Sequence, residues 1–370
     1  MNNRYYQTTK PLNQQLHDLM QRMHACAPEI ARLSFAKYDK ETDRLTTYAD
    51  SEFDLWNDLH HEHRFNKLNH LKRSASTGVA RIVNDLRQIS HCERVQFLLQ
   101  KGYRSSAAVP CYQNRRFSGF VFLNSYQTNA FNSRQLGALA PYFEMVQFTV
   151  ESQYQVVDTI ATFAERLISG QKLFGIDSYY HGRRMKLYTR LIAEYVADDY
   201  GLDDEQVEAI ALFSQFHDIG KSEVSEKMLY TDQRLSETEL DSVREHIDNG
   251  IRIMNEIVDS VGSPSHPSVM MLNQIMHNQY EFMDGSGYPN GVSRDLLPIP
   301  AHIITVANIF DAMTTHKSYR QAWSIRHALL EMEKMVHQGK LDSECVDALR
   351  SCQQYLKKII IKFPEPSLHH

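Results

Sequence analysis

His217-Asp218-Ile219-Gly220-Lys221 is the stretch whose residue types and spacing point most directly to chemistry. It closes an apolar helical run, Val207 to Phe213, and precedes a polar segment. An imidazole nitrogen can take one metal ion, and the two oxygens of the neighbouring carboxylate can bridge to a second. Lys221, one turn further on, faces the same side and supplies a cation for a phosphate. Standing alone, the pair also reads as a buried histidine followed by an aspartate that caps the next turn. The chemistry therefore depends on ligands from elsewhere in the chain.

Such residues are spread along the carboxy-terminal half. Asp177 and His181, four apart, share a helical face. His246 lies within Arg244 to Gly250, and His277 precedes Glu281. Asn308 and Asp311, three apart, share the face of a helix read from Ile303 to Met313. Singly, each has a structural reading as a cap, a surface charge or a core histidine with its hydrogen bonds made. Together, imidazoles and carboxylates drawn from consecutive helices are how a bundle holds iron or manganese.

The elements that must position them are helical. From Asp177 to Leu349 the pattern is helix after helix, broken at residues 201–204, 222–237, 261–268 and 284–300. An all-α bundle follows. The amino-terminal half is different. A helix at Gln14 to Ala25 precedes a hairpin from Ala31 to Tyr48, and helical patterns follow at Asn66 to Lys72 and Thr77 to Arg87. A second hairpin runs from Ser105 to Ser125 around Asn114, and Asn132-Ser133 caps a further helix. From Tyr142 to Ser169 apolar residues recur at helical spacing without Pro or Gly, giving a long connecting helix. Its extra apolar stripe suggests a parallel homodimer seam, the alternative being packing onto the chain's own domains.

Composition sets limits. The 370 residues, 42% of them hydrophobic, are enough for two domains with cores. A net charge of −5 argues against a general nucleic-acid or membrane surface, so no duplex nucleic acid is expected and any phosphate site is local. Five cysteines without a Cys-x-x-Cys pair fit reduced thiols. No leader and no bilayer-length apolar run is visible, so the expectation is a cytoplasmic protein with no membrane partner. His60-His61-Glu62-His63 fits no closed metal spacing and reads as a surface loop.

The first half resembles a GAF domain, a small-molecule sensor fold, on Ser105 to Pro110, Gly119 to Ser125 and Phe131 to Leu136. The second half resembles the HD-GYP family of HD phosphohydrolases. The resemblance rests on His181, His217-Asp-Ile-Gly-Lys221, His246 with Gly250, Asp284-Gly-Ser-Gly-Tyr-Pro-Asn-Gly291 and Asp311 to Arg320, in that order. It implies an α+β two-domain chain: a GAF-like α/β sensor domain at 1–150, a connecting helix at 151–175 and an all-α HD-GYP bundle at 176–370. It also implies metal-dependent hydrolysis of cyclic di-GMP or a mixed cyclic GMP-AMP, with two or three ions of iron or manganese across the family and one or two ions per domain expected in this chain. Carried over by position, one ion is held by His181, His217, Asp218 and Asn308. A second is held by Asp218 and His246, with His277 reaching in from one turn before Tyr280. Asp177 and Asp311 belong to a third. Asp218 and Lys221 take the catalytic roles, while Lys221, Tyr288, Lys317 and Arg320 meet the substrate. The chain departs from the family at Gln279-Tyr280, where the family has two histidines, and at Asn308, where it has an aspartate. The alternative is therefore a catalytically silent receptor that binds a cyclic dinucleotide and relays it to a partner.

Overall fold

Strands with apolar residues on both faces give the amino-terminal half a sheet that is covered on each side. Strands β1 (Arg32–Asp39), β2 (Arg44–Asp50), β3 (His63–Arg64), β4 (Arg81–Val83), β5 (Ser105–Gln113) and β6 (Arg116–Ser125) pair antiparallel in the order β3-β2-β1-β6-β5-β4. The helices of this half are α1 (Leu12–Met23), α2 (Asn69–Thr77), α3 (Glu93–Gln100), α4 (Ser133–Ala138) and the first part of α5 (Ala140–Gly170). Leu33, Phe35, Val121 and Leu123 face α1 and α5, meeting Leu16, Met23, Phe143 and Val146. Ala36, Leu45 and Phe120 face the other way, against Leu71 and Ala75 of α2. The guanidinium of Arg32, fully buried, donates to Asp50 Oδ2 and Asn124 Oδ1, each at 2.8 Å, and so ties β1 to both of its neighbours.

The structure is a computed structural model that describes residues 12–40, 43–51, 63–64, 68–89, 93–170, 176–229, 236–262, 266–316 and 321–364. Contacts divide the chain into two compact units, residues 1–155 and 156–370, and α5 runs without a break through that boundary. Met145, Phe148, Phe163 and Leu167 of α5 are exposed. The helix expected over Thr77 to Arg87 does not form. Gly78, with φ of 73°, ends α2 in the left-handed conformation, and Arg81-Ile82-Val83 pairs with β5 instead. Residues 60–62 of the histidine-rich run lie outside the described residues, and His63 begins β3.

The second unit is helical, with no strand among its described residues. Its helices are α6 (Ile176–Tyr200), α7 (Asp204–Ser214), α8 (Glu226–Leu229), α9 (Glu237–Arg244), α10 (His246–Val261), α11 (Pro267–Asn278), α12 (Ile299–Thr314), α13 (Ile325–His337), α14 (Ser343–Ser351) and α15 (Gln353–Lys362). Capping boxes start α7 at Asp203 with Gln206 and α9 at Ser236 with Glu239. Apolar residues cover most of the circumference of α12, so it takes the centre of the bundle. Ile303, Ala307 and Phe310 pack there with Tyr188 and Ile192 of α6, Phe213 of α7 and Ile275 of α11. No helix among the described residues is long and apolar enough to cross a membrane.

One buried polar knot joins three of these helices. Asp342 Oδ2 accepts from the Tyr200 hydroxyl at 2.7 Å and from His302 Nδ1–H at 2.9 Å, while Oδ1 caps α14 by accepting from the Cys345 amide at 3.0 Å. Burial pushes the Asp342 carboxyl up, but His302, Tyr200 and the Cys345 amide outweigh it and hold the carboxyl below the usual carboxylate range. The unfolded chain therefore binds the proton more tightly, so this stabilisation is full at neutral pH and drains away as pH falls below about 4. Asp342→Ala should lower stability at pH 7 by about 2–4 kcal/mol. In urea denaturation the gap between wild type and variant should narrow at about pH 3; a gap independent of pH would refute this account.

Candidate metal centre

The chain leaves α7 at Ser214 because tight turns replace its helical bonds. The Phe216 amide donates to Phe213 O at 3.0 Å and the Ile219 amide to Phe216 O at 2.9 Å. His217 and Asp218 thus lie in the turn after the helix, and a 3-10 turn, Ile219–Glu223, carries Lys221. This turn packs on α10 with almost no space between backbones. A Cβ placed on Gly220 would stand 1.9 Å from His246 O and 2.4 Å from the Gly250 amide nitrogen. Glycine is therefore required there, and the approach brings His246, first residue of α10, beside Asp218.

Three imidazoles present the same nitrogen to one carboxylate. His217 Nδ1–H donates to Ser214 O at 2.8 Å, His246 Nδ1–H to Val243 O at 2.6 Å and His181 Nδ1–H to Asp311 Oδ2 at 2.7 Å. With Nδ1 holding the proton, each Nε2 carries a lone pair. Nε2 of His181 and of His217 both lie 3.5 Å from Asp218 Oδ2 and 3.4 Å from each other. His246 Nε2 lies 3.5 Å from Asp218 Oδ1, buried and without a hydrogen-bond partner. Two lone pairs and an anion at this spacing repel unless a cation stands among them. The ligand atoms of His181, His217 and Asp218 all fall within 4.8 Å of one another, which suits a metal ion.

The electrostatics agree. Burial presses the His217 pKa down to about 4, and burial likewise lowers that of His246, so both stay neutral and able to ligate. Burial opposes charge on His181 too, but its bonds to Asp218 and Asp311 win and raise its pKa. Burial would raise the Asp218 carboxyl, yet His217, Lys221 and His181 hold it well below the usual range. Lys221 Nζ donates to Asp218 Oδ2 at 2.5 Å.

Several expected ligands stand elsewhere. Asp311 is buried and wholly committed: Arg184 Nε donates to Oδ1 at 2.6 Å and Nη2 to Oδ2 at 3.0 Å, in addition to the His181 bond. It orients His181 and is placed behind the centre. His277 is exposed and its Nδ1–H donates to Asn273 O at 2.8 Å, within its own helix. The expectation that it shares a face with Tyr280 fails because α11 ends at Asn278. Asn308 is half-buried on α12 with its side chain at the Tyr280 hydroxyl. The side chain of Asp177, together with Lys317 and Arg320, lies outside the described residues.

Gln279 and Tyr280 have specific places. Buried Gln279 donates from Nε2 to His217 O at 2.8 Å, fixing the turn from behind. The Tyr280 hydroxyl donates to Asp218 Oδ1 at 3.0 Å, and its ring lies 4.9 Å from the Tyr288 ring at 8°. The Arg244 guanidinium sits 4.9 Å over Tyr288, so this ring is already stacked. The loop that carries Tyr288 is closed by Glu281. That fully buried carboxylate accepts from the Asn290 amide at 2.7 Å and the Val292 amide at 3.1 Å.

Known proteins are similar to parts of this chain. Residues 170–345 match the HD domain family. The cyclic di-GMP phosphodiesterase response regulator RpfG of Xanthomonas campestris pv. campestris is 30% identical over 177 residues, which cover 48% of this chain and 44% of that protein. The 3'3'-cGAMP-specific phosphodiesterase 3 of Vibrio cholerae is 32% identical over 187 residues, covering 50% of this chain and 38% of that protein. The chain thus spans less than half the length of these relatives. Among solved structures, a GAF domain/HD domain protein from Geobacter sulfurreducens is similar at a TM-score of 0.29 and 11% identity, over 39% of this chain and 97% of that one.

Within the helical unit, the loop after Glu281 offers a direct check. Glu281→Ala leaves the Asn290 and Val292 amides without acceptors and should destabilise the protein by about 2–5 kcal/mol. Hydrogen exchange at those two amides should accelerate more than elsewhere in the bundle. Unchanged exchange there would show that the carboxylate does not hold the loop.

Proposed function

We propose that this chain hydrolyses a phosphodiester bond of a cyclic dinucleotide, cyclic di-GMP or a mixed cyclic GMP-AMP, using a divalent metal ion held by His181, His217 and Asp218. The observation that carries this reading is the convergence of lone pairs, each fixed by a proton on the opposite ring nitrogen, on one deprotonated carboxylate. The relatives are named as phosphodiesterases for cyclic di-GMP and for 3'3'-cGAMP, which favours this substrate class. Iron or manganese suits the mixed nitrogen and oxygen donor set.

The ion, when bound, supplies Lewis acidity that activates water and offsets charge on a phosphate oxygen. The chain's own residues do the rest. Arg184 holds Asp311, and Asp311 holds His181 in the tautomer that leaves Nε2 bare. Lys221, half-buried and one turn beyond Asp218, is the cation for a phosphate oxygen, with Lys317 and Arg320 as further candidates. Asn308 offers a neutral carbonyl oxygen beside the centre. The exposed apolar edge of α5 supports a homodimer, through which the amino-terminal domain would regulate hydrolysis.

Purified protein loaded with manganese or ferrous iron should cleave cyclic di-GMP or 3'3'-cGAMP. His217→Ala and Asp218→Ala should each lose at least about 100-fold in rate, the size of effect seen when one electrostatic stabiliser is removed. Tight binding with no product under either metal would reject the enzyme and leave the receptor reading. Arg184→Ala should weaken manganese binding by roughly 10–100-fold, because His181 loses the support of a fixed carboxylate. Isothermal titration with the metal alone measures this, and an unchanged affinity would count against the Arg184–Asp311–His181 chain.

A further inference from the structure

Asp218 offers its two oxygens to unlike surroundings. Oδ2 faces Nε2 of His181 and of His217, both at 3.5 Å, and the Lys221 ammonium at 2.5 Å. Oδ1 faces His246 Nε2 at 3.5 Å and already accepts the Tyr280 hydroxyl at 3.0 Å. Among the described residues, the groups close enough to share an ion are His181, His217 and Asp218, without His246.

The hydroxyl is held in place from several directions. The Tyr280 ring lies parallel to Tyr288 and edge-on to His246 at 5.5 Å, and the Tyr288 amide donates to Tyr280 O at 3.2 Å. Asn308 touches the hydroxyl from α12. An O–H pointed at Oδ1 takes one of the two lone pairs there and offers no unshared nitrogen pair to a second ion. His246 is then the one imidazole on that side among the described residues, too few donors to bind an ion alone.

We propose that Tyr280 makes this a one-ion centre: where a second ion beside His246 would need a further donor, the chain sets a hydroxyl that is itself bonded to Asp218 Oδ1. The inference deepens the metal-dependent reading above and rests on it. Tyr280 acts through Asp218, as a positioning residue. Its phenol remains a hydrogen-bond donor and is not itself a ligand.

The test counts ions on the full chain, stripped of metal and reloaded with manganese alone. Wild type should bind one ion per chain, with the electron paramagnetic resonance pattern of an isolated ion. Tyr280→His exchanges the donor hydroxyl for an imidazole lone pair, and should bind two magnetically coupled ions. Tyr280→Phe should keep one ion, bound roughly 10–100-fold more weakly because Asp218 loses its orienting bond. Iron-loaded, oxidised wild type should show no visible charge-transfer band of a phenolate ligand. Two coupled ions in wild type would overturn the inference while leaving the metal-dependent reading intact. So would a visible band that vanishes in Tyr280→Phe, or a folded Tyr280→His that still binds one ion. No ion in any of the proteins would overturn both.

Discussion

The centre depends on a backbone contact in which the side chains take no part. The 3-10 turn after α7 touches α10 where Gly220 meets His246 O and the Gly250 amide, at a spacing that admits no Cβ. Interiors pack to crystal-like density and do not yield a carbon's width without cost. Everything around Asp218 follows from that approach. His217 and Asp218 arrive from one side of the contact and His246 from the other, so one carboxylate meets imidazoles from separate helices. Gln279 then braces the same turn through His217 O.

What the bundle adds is tautomer control. Each Nδ1 proton goes to a different acceptor: a carboxylate on α12, a carbonyl at the end of α7 and a carbonyl at the end of α9. None of these acceptors can turn away, because each belongs to a packed helix or to an ion pair with Arg184. A buried ion pair such as Arg184–Asp311 is weak evidence for stability, since removing two charges from water is expensive. Its value here is directional. It holds one ring in one orientation at the point where three helices meet.

Much of this was legible in the chain. The order of His181, His217-Asp218 and His246, each at a helix face or end, foretold the imidazoles that meet, and helical periodicity foretold the bundle around them. Asp311 is visible in the sequence as a partner, but its role is not, because the pairing of Arg184 and His181, three residues apart on α6, with one carboxylate of α12 is a tertiary contact. His277 misled because a helical spacing was continued past Asn278, where the helix has stopped. Tyr280 read as a lost imidazole, since sequence shows what is missing from a pattern more easily than which hydrogen bond replaces it. In the first half, Arg81-Ile82-Val83 passed for helix because three residues are too few for a period to declare itself. Their pairing with β5 is a tertiary fact.

Glu281 has an implication for how such a domain can change over time. The Gly-rich loop from Asp284 to Gly291 looks like a detachable module, but its closing bonds end on a carboxylate outside it, buried among helices. The loop is therefore not portable by itself. Recombination that brought the loop into a bundle lacking this acid would deliver two amides without their acceptor, and loss of the acid alone would have the same effect. Drift at the loop's exposed tip is free, while the acid and the turn it closes can be exchanged between relatives only as one block.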